Sequence, residues 1–127
     1  MKLVLNSPAA ARGALREKQK RDRAAAPLLR TRYPQLATLQ LEFEFSDSSD
    51  FLPSPQVSVF HPPARAYFRF ACPYSDCDGE FDLAAPIQQM VSGDAPQIEG
   101  HVRCAGTRHG GVQCTLSLEY AISAQRA

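Results

Sequence analysis

A chain of 127 residues has the length of one ordinary domain, and its 44% apolar content is that of a globular protein. Ten prolines and no tryptophan argue against a helical bundle and for strands separated by irregular loops. The net charge is only +1, but residues 1–34 hold nine of the fourteen Lys and Arg against two acids, which makes that segment +7 and the remainder −6. Such asymmetry fits a basic tail with a polyanionic partner, or an arm that folds back onto its own acidic domain.

Leu3, Val4 and Leu5, after Lys2, are too short an apolar run for an export signal. No run approaches the roughly 18 apolar residues that span a bilayer. The expectation is a cytoplasmic protein with no membrane contact. In that compartment paired cysteines bind metal more often than they form disulfides.

Ser7 reads as the cap, and Pro8 as the first residue, of a helix rich in Ala, Arg, Lys, Glu and Gln that runs to Ala26. Glu17 with Arg21, and Lys18 with Asp22, are spaced for i,i+4 pairs. Leu15 is its only large apolar residue, so the helix is expected to be solvated, with little to dock against. Arg12, Arg16, Lys20 and Arg23 fall near one of its faces. Pro27 interrupts the pattern, and Leu28 and Leu29 begin a short second helix or turn that Tyr33-Pro34 ends. The reading is a basic helical arm over residues 1–34 and a folded β-domain over residues 35–127.

Leu39, Leu41, Phe43 and Phe45 alternate with Gln40, Glu42 and Glu44, the pattern of an antiparallel strand with one wet side. Ser46 to Pro55 reads as a polar loop that offers Phe51, Leu52 and Pro53 as a contact. Gln56 to Phe60 is a short strand, and the prolines of His61-Pro62-Pro63 favour an edge position for it. Ala66 to Cys72 is the next strand, with Phe68, Phe70 and Cys72 on one face. Glu80 to Leu83 returns with Phe81 and Leu83 inward. Pro86 opens a helical segment in which Ile87, Met90 and Val91 share a face, and Gly93 is its stop. Gln97 to Cys104 and Val112 to Ile122 read as a second hairpin around residues 105–111.

The four cysteines form two pairs, Cys72 and Cys77 in CPYSDC, then Cys104 and Cys114 in CAGTRHGGVQC. Strand parity puts Cys72 in phase with Phe68 and Phe70, and Cys77 with Phe81 and Leu83. It puts Cys104 in phase with Ile98 and Val102, and Cys114 with Val112, Leu116 and Leu118. Two hairpin tips then aim four thiols at one point, and thiolates suit tetrahedral Zn²⁺. Gly79, Gly106, Gly110 and Gly111 let the backbone wrap closely around them. Over roughly residues 66–120 this arrangement resembles the zinc-ribbon class of Cys-ligated domains, with gaps of four and nine residues in place of two. Taken with the basic arm, the reading is an α+β fold in which an N-terminal basic helix precedes a small antiparallel β-domain with two zinc-knuckle hairpins. A competing ligand set is Cys72, Cys77, Cys104 and His109, since His109 follows Cys104 at the spacing that separates Cys77 from Cys72.

Catalytic patterns are wanting. His61, His101 and His109 are scattered, GTRHGG lacks the lysine of a phosphate loop, and neither cysteine pair has the CxxC spacing of thiol oxidoreductases. Asp76, Asp78, Glu80 and Asp82 read as a solvated acidic face. The expectation is therefore a non-enzymatic, zinc-stabilised protein-interaction module. A nucleic-acid binder that uses Arg12, Arg16, Lys20 and Arg23 is the alternative, and a zinc or thiol-redox sensor a weaker one.

Overall fold

A computed structural model describes residues 8–47 and 55–127. The Ser7 cap and the Phe51, Leu52 and Pro53 contact lie outside them. The protein is α+β, a helical N-terminus followed by antiparallel sheets. Its helices are α1 (Pro8–Ala25), α2 (Leu29–Arg32) and α3 (Ala84–Ser92). Four strands, β1 (Leu36–Ser46), β2 (Gln56–Phe60), β5 (Gln97–Arg103) and β8 (Ser117–Arg126), make one sheet in the order β2-β1-β8-β5. The strands β3 (Arg69–Ala71) and β4 (Glu80–Asp82) form a separate hairpin, as do β6 (Thr107–Arg108) and β7 (Val112–Gln113).

The alternation in β1 decides how the sheet is covered. Leu39, Leu41 and Phe43 are buried, while Glu42 and Glu44 face out. β8 pairs with β1 from Leu36 opposite Arg126 to Ser46 opposite Ser117, so Leu118 and Ile122 extend the same apolar face. The β3–β4 hairpin covers this face through rings, Phe70 on Phe43 at 4.9 Å and Phe81 near Phe45 at 5.8 Å. Ile87, Met90 and Val91 of α3, with Leu29 and Tyr33, complete the buried cluster. Leu118 is 0% exposed, and Leu118→Ala is expected to cost about 2–5 kcal/mol in denaturant unfolding. Val59, 49% exposed on β2, should tolerate alanine within about 0.5 kcal/mol in the same measurement.

Four local expectations change. α3 begins at Ala84, two residues ahead of Pro86. α3 stops at Gly93, but that residue is right-handed, and the left-handed residue after the helix is Asp94, at φ 58°. The second hairpin is not continuous: β5 pairs with β8 only as far as Arg103 opposite Ser117, and residues 104–116 leave the sheet to form their own turn. Val112 is consequently 59% exposed instead of sharing a buried face with Cys114. Finally, α1 is docked. Gln19 is buried, and its amide donates to Glu80 at 2.7 Å. Arg12 donates to the carbonyls of Cys72 and Cys77, and the Arg23 guanidinium lies 5.1 Å from the centre of the Tyr67 ring. A helix poor in apolar residues thus docks through polar ones.

Candidate metal centre

Two matching turns carry the cysteines. Cys77-Asp78-Gly79 and Cys104-Ala105-Gly106 share a Cys-x-Gly pattern, and in each the glycine N–H donates to the cysteine sulfur at 3.4 Å. Each glycine carbonyl then accepts the N–H of the other cysteine of its pair, Cys72 or Cys114, at 3.0 Å. Amides aimed at sulfur stabilise the thiolate.

The turns also interlock. A Cβ on Gly79 would strike Cys104 Sγ and lie 2.9 Å from the Gly106 Cα; one on Gly106 would lie 2.7 Å from Cys77 Sγ. Only glycine permits this approach. Spacing between cysteines does not distinguish these glycines from Gly110 and Gly111; the repeated Cys-x-Gly does, and it singles out Gly79 and Gly106.

All four sulfurs are brought within 4.8 Å of one another, and each cysteine is at most 3% exposed. The short separations run between the turns: Cys72 to Cys114 at 3.9 Å and Cys77 to Cys104 at 3.6 Å. Metal–sulfur bonds of about 2.3 Å in a tetrahedron require sulfurs about 3.8 Å apart. The four buried cysteines therefore have the spacing and chemistry to hold one metal ion. His109 is exposed on the turn His109–Gly111 and stands apart from this group, which Cys114 completes.

Electrostatics within the cluster are uneven. Hydrogen bonding from the Cys72 thiol, helped by the Gly106 amide, pulls Cys104 down to about 5. Desolvation pushes Cys77 up to about 12. The hydrogen bond to Cys104, then burial, drives Cys72 upward as well. Burial and hydrogen bonding thus oppose ionisation of Cys72 and Cys77 while Cys104 is pulled toward the thiolate. Ionising all four in so dry a place needs a cation at their centre.

The rim of the site is a set of long-range polar contacts, and it corrects the solvated acidic face. Asp76 accepts from Arg108 Nε at 3.1 Å and from the His109 N–H at 3.1 Å. Asp78 accepts from the Thr107 N–H at 2.7 Å, and Arg108 lies over the Tyr74 ring at 3.9 Å. Asp47 joins Tyr74 at 2.8 Å to Thr115 at 3.0 Å. Glu80 and Asp82 both pair with Arg69. The acidic run clamps one knuckle to the other and to the helix, through partners too distant in sequence for local patterning to reveal.

Of the four basic residues on the arm, Arg12 and Arg23 are engaged within the chain, as described above. Arg16 and Lys20 are exposed and form no ion pair among the described residues. His61 and His101 are exposed and lie away from the cysteines. No helix among the described residues is long and apolar enough to cross a membrane.

Fold and site together define an α+β domain in which two glycine-locked turns converge four thiols. No family model, curated protein or solved structure matches the chain, so the functional reading rests on this geometry alone.

Proposed function

We propose that the protein is a non-enzymatic protein-interaction module whose β-domain is closed by one structural zinc ion, in the manner of a zinc ribbon. The observation that carries this reading is the enclosure of four sulfurs, contributed by two turns, at tetrahedral spacing. A thiolate tetrahedron favours zinc, and its closed shell leaves no position for a reactive water. That supports a structural role, in a reducing compartment such as the cytoplasm.

The surface offered to a partner is the outer face of the four-stranded sheet. Glu42, Glu44, Glu99 and Glu119 are exposed there and have no ion-pair partner among the described residues. Glu44 stands directly opposite Glu119, a like-charge juxtaposition that weakens a bare sheet. Val57 and Val59 flank these acids on β2, and His101 lies opposite Glu119. Such a face attracts a basic protein segment and repels phosphate. Exposed Arg16 and Lys20 support a second reading, nucleic-acid contact through α1.

Capture from native extract with wild-type chain and with the double variant Glu44→Lys, Glu119→Lys separates the readings. A protein partner that survives nuclease and is lost with the variant is the expected result. Enrichment abolished by nuclease, or a partner indifferent to charge reversal on the sheet, would contradict it.

A further inference from the structure

We infer that Arg12 couples docking of α1 to metal occupancy of the cysteine centre, so that the basic helix is held while metal is bound and released when it leaves. The inference rests on the metal reading above.

Arg12 Nη1 donates to the carbonyls of Cys72 and Cys77, the two cysteines that bound the first knuckle. One guanidinium can grip both only while the knuckle is closed. That closure needs Cys72 N–H on the Gly79 carbonyl and Cys77 N–H on the Tyr74 carbonyl, and both sulfurs drawn to the common centre. Charge acts in the same sense. Four thiolates around a divalent ion sum to −2, and a guanidinium on the backbone beside two of them offsets part of that charge.

The rest of the helix holds weakly. Among the described residues α1 supplies none to the buried apolar cluster, and Leu15 is only partly buried. Its other side-chain anchors among the described residues include the Gln19–Glu80 hydrogen bond and Arg23 over Tyr67. Polar contacts at a part-exposed surface each contribute only modestly, so loss of the Arg12 grip is enough to shift the docking equilibrium. Undocking also changes what the helix presents. At 3.6 residues per turn Arg12, Arg16, Lys20 and Arg23 lie within an arc of roughly 80°. In the docked state Arg12 and Arg23 are occupied; released, all four face outward together. The metal centre thereby holds a complete basic face in reserve.

Coupling of this kind is reciprocal: if metal favours docking, docking must favour metal by the same factor. The test compares full-length wild type with Arg12→Ala, reading zinc per chain, zinc affinity against a chelator, and hydrogen exchange of the amides in residues 12–23. Zinc-loaded wild type should protect these amides. Zinc-loaded Arg12→Ala should exchange them about tenfold faster, and bind zinc more weakly by a similar factor, within the 5–150-fold range usual for coupled sites. If Arg12→Ala keeps its zinc and the wild-type protection, or loses protection with zinc affinity unchanged, the coupling is overturned while the metal reading stands. A wild-type chain that binds no zinc overturns both.

Discussion

Cys104→Ser is expected to abolish metal binding and to remove fixed tertiary packing from the whole domain. Cys104 is buried in the cluster, receives the Gly106 amide, and is the neighbour of Cys77 at 3.6 Å. A structural zinc contributes roughly 10–16 kcal/mol of apparent binding free energy, as much as the entire 5–15 kcal/mol stability of an ordinary domain. The damage should spread in a defined way. The inner face of the sheet is covered by Phe70 and Phe81 on the hairpin that leads into and out of the first knuckle. With the knuckle open that cover loosens, while the long β1–β8 ladder retains its own hydrogen bonds. Far-UV circular dichroism should therefore keep much of its β signal while near-UV signal and amide dispersion in NMR collapse. A serine variant with wild-type near-UV signal and melting temperature would show that the ion is not what closes the domain.

The second large effect is expected from a single methyl group. Gly106→Ala would press its Cβ against the Gly79 backbone and to within 2.7 Å of Cys77 Sγ. Neither neighbour is a flexible side-chain end, so the two turns must separate, and the tetrahedron must open with them. Overpacking a rigid site costs about 1–3 kcal/mol and occasionally more, and here weakened metal binding adds to it. Gly13→Ala is the control. Nothing lies within 4 Å of a Cβ there, and the position is helical, so the substitution should stabilise α1 by up to about 1 kcal/mol. Thermal melts and zinc competition with a chelator check both variants. Equal tolerance at Gly106 and Gly13 would refute the interlocked turns.

The parts of the fold legible in the sequence are those that repeat locally. The two-residue alternation in β1, the Ile87, Met90 and Val91 face of α3, and the helical run of α1 each follow from short-range chemistry, and the structure bears them out. The convergence of the four thiols was legible as well, though by an argument only half sound. Strand parity holds for Phe81 and Leu83, both buried. It fails at Val112, because residues 104–116 leave the sheet and carry no continuous face through to Cys114. What brings Cys104 and Cys114 to their partners is instead a pair of Cys-x-Gly turns.

Illegible were the contacts between distant polar residues. Asp76 and Arg108, or Gln19 and Glu80, make sense only once the chain has folded, and each looks like ordinary surface beforehand. Docking of α1 escaped for a related reason. An apolar stripe is the usual sequence mark of a docked helix, and this helix docks through an arginine and a glutamine. Leu29 and Tyr33 lie N-terminal to the expected boundary of the folded domain yet are buried, because Leu29 N–H and Ala66 N–H stitch the α2 segment to the chain around residues 64–66.

Native mass spectrometry of the full chain, read beside its near-UV spectrum before and after chelation, tests most directly whether one ion joins the two turns. One zinc per chain, lost on chelation together with the tertiary signal, is the predicted result. A chain that carries no metal and still shows the spectrum of a packed domain would contradict it.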